Sequence, residues 1–97
     1  MTRTPIHPGE ILADEIAELG INATELARII HVLANRIYQI IAGKRAITAD
    51  TVLRLGRWFG TGPNIWLNLQ QAYELDLVCQ EIGPELENIL PREMAFS

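Results

Sequence analysis

Between Asn22 and Arg45 two short apolar-periodic segments are separated by only three residues, and this spacing restricts the fold of the 97-residue chain more than any other feature. Leu26, Ala27, Ile29 and Ile30 recur at intervals that place them on one face of a helix, and so do Ile37, Ile40 and Ile41. His31 to Leu33 join the two segments, and Gly20 and Gly43 punctuate their outer ends, as glycine does past a helix C-terminus. Isolated helices below about 12–15 residues are marginal in water. The pair therefore needs flanking helices to bury its apolar faces.

The flanks supply them. Pro8 stands where proline suits the first helical position, and Ile11, Leu12, Ile16 and Leu19 form an apolar stripe, which predicts a first helix over Pro8–Leu19. The second begins at Asn22 or Ala23, and the third runs Ala34 to Ala42. Thr48 as N-cap, Asp50 in the first turn and the spacing of Val52, Leu55 and Phe59 predict a fourth helix over Ala49–Phe59. After the loop Gly60–Pro63, a long fifth helix is expected to reach Ile82. Gly83-Pro84 is expected to interrupt it, leaving an acidic extension over 83–97 that forms a short helix or a frayed end. Nothing alternates with the period of a strand, so the expectation is a single all-α domain over residues 6–82.

A net charge of −4 conceals a strong asymmetry. From Asn22 to Trp58, Arg28, Arg36, Lys44, Arg45, Arg54 and Arg57 stand against Glu25 and Asp50; from Asn64 onward, Arg92 stands against six acidic residues. A basic segment suits a polyanion, and an acidic one suits a basic partner. No apolar run is long enough to span a bilayer and no signal-peptide pattern opens the chain, so a cytoplasmic location without membrane attachment is the default. A single cysteine, Cys79, forms no internal disulfide and is expected to be a chemically inert helix residue.

Two short helices joined by a tight turn form a helix-turn-helix, whose second helix enters the DNA major groove. With Ile37 and Ile40 facing the core, Ala34, Asn35, Arg36, Tyr38 and Gln39 lie outward, and Asn35, Arg36, Tyr38 and Gln39 are the base-reading candidates. Asn and Gln pair with adenine and Arg forks onto guanine, each worth about 1–3 kcal/mol of discrimination. Thr24, at the start of the second helix, and Lys44 and Arg45, just past the third, are placed to meet phosphates. Trp66, Leu69 and Tyr73 read as a core stripe on the fifth helix, while Leu75, Leu77, Val78 and Ile82 exceed what one small core needs and are expected to form a homodimer interface.

Several motifs carry a family resemblance: His7-Pro8-Gly9-Glu10-Ile11-Leu12, Ala23-Thr24-Glu25-Leu26-Ala27, Gly43-Lys44-Arg45-Ala46-Ile47-Thr48, and Gly60-Thr61-Gly62-Pro63 followed by Ile65-Trp66-Leu67-Asn68-Leu69-Gln70. Together, over about Ile6 to Leu75, the chain resembles the HigA (VapI-like) antitoxins of the Xre/lambda-repressor-like helix-turn-helix superfamily. The resemblance implies a five-helix domain and a homodimeric repressor that binds a palindromic operator in its own promoter. It also implies neutralisation of a small basic toxin, HigB, an mRNA-cleaving ribonuclease. The chain departs from the family where the turn usually carries Gly and then Ser. Here His31 and Leu33 stand instead; histidine lacks glycine's backbone freedom and leucine cannot cap a helix, at a cost of about 1 kcal/mol. Ala34 replaces a commonly polar side chain, which bears on operator preference.

Two further readings are a stand-alone Xre-type regulator without a toxin and an antitoxin module that no longer binds DNA. An enzyme is not expected, because no set of acids, bases, nucleophiles or metal ligands converges: His7 precedes the first helix, His31 sits in a turn, and no phosphate-binding glycine loop is present. No cofactor or metal is implied.

Overall fold

In a computed structural model, which describes residues 4–95, the chain is all-helical: α1 (Pro8–Leu19), α2 (Ala23–Ile29), α3 (Ala34–Ile41), α4 (Ala49–Phe59), α5 (Asn64–Glu87) and a four-residue α6 (Arg92–Ala95). Five of these match the expected helices, with α1 and α4 bounded as the sequence predicts.

The core gathers one stripe from each of the first five helices. Leu12 and Ile16 of α1, Leu26 and Ala27 of α2, Ile30 just past its end, Ile37 and Ile40 of α3, Ile47 in the loop before α4, Val52 and Leu55 of α4, and Trp66 of α5 are all buried. Each large side chain so buried contributes about 1.5–3 kcal/mol. Ile29, expected on the buried face of α2, is instead 39% exposed, because Ile30 beyond the helix end takes the inward position. Phe59 packs against Trp66 with ring centroids 5.5 Å apart, closing the α4–α5 corner.

Two glycines permit close helix contacts. A Cβ on Gly9 would lie 1.8 Å from the Ile40 carbonyl oxygen, so α1 and α3 meet only because position 9 has no side chain. At Gly56 a Cβ would fall 2.5 Å from the Gly62 carbonyl, which lets the α4–α5 loop fold back onto α4.

The expected break at Gly83-Pro84 does not occur. α5 continues through Pro84 to Glu87. Part of the reason that the helical conformation is disfavoured before proline is a clash with the preceding Cβ, and Gly83 has none. The helix thus extends about 36 Å at 1.5 Å per residue. Its first turns pack on α4 and α1, and its distal half carries the molecule's long axis, 57 Å against 22 and 21 Å across. The acidic extension is consequently a continuation of α5 followed by α6. Of the end expected to fray, Phe96 and Ser97 lie outside the described residues. Cys79 is exposed on α5. Among the described residues no helix is long and apolar enough to cross a membrane.

Candidate nucleic-acid interface

The interface is built on α2, the turn and α3. Asn22 caps α2 reciprocally: its side chain accepts from the Glu25 N–H at 2.8 Å, and Glu25 accepts from the Asn22 N–H at 3.2 Å. α2 ends with His31 in the left-handed region, φ 63°, while Val32 N–H donates to Ala27 and His31 N–H to Arg28. This is the paired hydrogen-bond closure that glycine usually allows. The side chain that supports it here is Arg54 of α4, whose Nη1 donates to the carbonyl oxygens of Ile30 at 2.9 Å and His31 at 3.2 Å. Leu33 makes no side-chain cap for α3, as its chemistry predicts. Ala34, expected to face outward, is instead partly buried against the core, because the first turn of α3 sits close to the turn that precedes it.

On α3 the outward residues are in distinct situations. Asn35 is exposed. Tyr38 is 51% exposed, and its hydroxyl lies 3.0 Å from the Thr24 hydroxyl, joining α2 to α3 at the rim of the surface. Gln39 accepts from Arg45 at 3.4 Å, so the residue after the helix and one of its face residues are linked. Arg36 differs from its neighbours: its guanidinium turns across to α4, where Nη1 donates to the Asp50 carboxylate and, at 3.3 Å, to the Thr51 hydroxyl. Asp50 also accepts from Arg54 Nε at 3.0 Å. These two arginine hydrogen bonds, from Arg36 first and Arg54 second, hold the Asp50 carboxyl below its ordinary value of 3.8.

Lys44 and Arg45 are exposed immediately beyond Gly43, which has φ 74° and ends α3 with Lys44 N–H donating to Gln39. Gln70 of α5 fixes the segment that follows. It is 6% exposed, accepts from the Ile47 N–H at 2.9 Å and donates to Glu74 at 3.3 Å. Below the loop, His7 caps α1 by accepting from the Gly9 N–H on Nδ1 at 2.9 Å and meets the Tyr73 ring edge-on at 4.8 Å. Burial lowers its pKa from 6.5, against smaller raising effects of Glu10 and of a hydrogen bond to the Arg45 backbone.

The structure thus brings Asn35, Tyr38, Gln39, Thr24, Lys44 and Arg45 onto one region and draws Arg36 toward α4. The sequence alone gives Arg54 only a charge, Asp50 a charge and a place in the first turn of α4, and Gln70 only a place in a family motif. The four-residue spacing of Asp50 and Arg54 was a readable signal; their links to Arg36 and the turn join distant parts of the chain. Of the four apolar residues expected at a dimer interface, Leu75, Val78 and Ile82 are 70%, 45% and 37% exposed and follow one stripe at spacings of three and four. Leu77 lies on the other side and lines a hollow with His7, Lys44 and Gln70. No group of three or more potential metal ligands occurs among the described residues.

A short α2, a tight turn and α3, held by α1, α4 and α5, define a lambda-repressor-like helix-turn-helix domain. No protein-family model matches the chain. It is 48% identical over 77 residues to virulence-associated protein I of Dichelobacter nodosus, covering 78% of this chain and 71% of that protein. An addiction-module antidote protein of the HigA family from Coxiella burnetii has a solved structure that superposes with a TM-score of 0.88 at 45% identity, covering 92% of this chain and 99% of that one. The Pseudomonas aeruginosa antitoxin HigA, solved with the higBA promoter, superposes with a TM-score of 0.84 at 40% identity, covering 92% and 98%. The chain belongs to the HigA antitoxin family.

Proposed function

We propose that this chain is a DNA-binding antitoxin that pairs as a homodimer on a palindromic operator, represses its own operon and neutralises a HigB-type toxin. The observation that carries the DNA half is the surface of α3. Asn35 and Gln39 are amide side chains suited to adenine, with the Thr24–Tyr38 pair at one rim and the basic residues Lys44 and Arg45 at the other. In this reading Asn35, Gln39 and Tyr38 meet base edges, and Thr24, Lys44 and Arg45 meet phosphates. The relative solved with the higBA promoter, superposing over nearly its whole length, supports a DNA-binding role for this chain. The exposed stripe of Leu75, Val78 and Ile82 supports pairing through the distal half of α5, with the two α3 helices about 34 Å apart for successive half-sites. Toxin neutralisation rests on family membership and on the acidic surface of α5, which suits a basic partner. The protein acts by binding rather than catalysis and resides in the cytoplasm in this reading.

Two measurements test it. Mobility shift with the DNA upstream of its own reading frame, across a salt series, should show sequence-selective retardation that weakens steeply as salt rises. Co-purification with the product of the neighbouring reading frame should give a stable complex. Selective DNA binding without that complex would favour the stand-alone regulator.

A further inference from the structure

We propose that Asp50 is a positioning residue that withholds Arg36 from the DNA-facing surface, and thereby determines which side chains of α3 read the groove. Arg36 is the third residue of α3, on the flank between the outward residues Asn35 and Gln39 and the buried Ile40, from which a free arginine could extend toward a guanine or a phosphate. Its guanidinium instead lies against the N-terminus of α4, bonded to Asp50 and to Thr51, a residue only 1% exposed. The Arg36 side chain retains 28% of its exposure. Asp50 is itself anchored, because its Oδ2 also takes Arg54, which holds the Ile30 and His31 carbonyls. Asp50 thus accepts from two guanidiniums at once, and the network they form ties Arg36 to the start of α4 and to the turn after α2.

With Arg36 retained, readout rests on Asn35 and Gln39, whose amides pair with adenine; with Arg36 released, the same helix gains a cation able to reach guanine or phosphate. This inference rests on the DNA reading above. It extends that reading by separating α3 into residues that meet DNA and one that is held from it.

The test is a double-mutant cycle in the mobility-shift assay on the chain's upstream DNA, using the native protein, Arg36→Ala, Asp50→Asn and the pair. The decrease in salt slope caused by Arg36→Ala should be about one unit larger in the Asp50→Asn background than in the native one, because only there does Arg36 reach DNA. Asp50→Glu, which keeps a carboxylate, should behave as native. Equal decreases in both backgrounds would overturn the inference alone. A larger decrease in the native background would also overturn it, by showing that Asp50 presents Arg36 to the DNA. No retardation by the native protein at any salt would overturn the DNA reading and this inference together. Should Asp50→Asn fail to fold, Asp50→Ser, which suits the first turn of α4, carries the same comparison with the same outcomes.

Discussion

Arg54 donates to the backbone carbonyl of His31, 3.2 Å away, and so compensates from α4 for a residue that the turn of α2 and α3 would more comfortably have as glycine. A left-handed backbone costs an ordinary residue about 1–2 kcal/mol. His31→Gly should therefore stabilise the fold by about 0.5–1 kcal/mol, part of the gain being lost to the looser unfolded chain. Arg54→Ala should destabilise it by about 1–2 kcal/mol, the usual range for losing charge-assisted bonds at a partly exposed site. Chemical denaturation of the two variants measures both signs.

Gly9→Ala should be among the most damaging single-atom additions in the chain. The new methyl would overlap the Ile40 carbonyl, and because that atom belongs to a helix backbone it cannot rotate away. A loss of about 3 kcal/mol is expected, seen as a fall in Tm of well over 5 °C. An unchanged Tm would mean that α1 shifts without cost.

Acid should weaken the fold through His7. Its folded pKa lies below 6.5, mainly because burial opposes the charge, and Nδ1 must stay unprotonated to accept from Gly9. The unfolded chain therefore takes up this proton first as pH falls. Stability from His7 is complete above pH 6.5 and declines as pH falls through the depressed folded value. His7→Asn retains a capping oxygen and should flatten the dependence of Tm on pH between about 7 and 5. Asp50, also lowered, contributes only further into acid, below its ordinary 3.8.

On DNA, Gln39→Ala and Lys44→Ala should separate base reading from phosphate binding. Gln39→Ala should cost about 1–3 kcal/mol on the preferred sequence and little on others. Lys44→Ala should weaken all sequences alike and lower the salt slope by about one. Competition binding with matched and scrambled duplexes distinguishes the two patterns.

Val78→Glu should shift the monomer–dimer equilibrium by about 100-fold, near 3 kcal/mol, by placing a carboxylate in the exposed stripe of α5. Sedimentation at micromolar concentration should show a dimer for the native chain and a monomer for the variant. A native monomer would refute pairing through that stripe.

The helices were legible because their signals are local: Gly20, Gly43 and Gly60 end α1, α3 and α4 in the left-handed conformation, and the isoleucine spacing of α3 identifies its buried side. The end of α5 is not legible in the same way, because Gly83 and Pro84 are both ordinary helix-stop signals and the helix nevertheless runs through them, Gly83 lacking the Cβ that would meet the proline ring. Outward placement of Arg36 followed from helix period. Its destination did not, since Asp50 is 14 residues away and the pairing depends on how α4 lies across α3. The same holds for Gln70, whose acceptor joins the Ile47 N–H 23 residues earlier.

Gln70 also alters what the loop after α3 belongs to mechanically. Although Lys44 and Arg45 follow α3 in the chain, the amide bond to Ile47 fastens the end of their loop to the side of a 24-residue rod. The two cations therefore stand on a segment held at both ends, to α3 through the Lys44 N–H and to α5 through the Ile47 N–H.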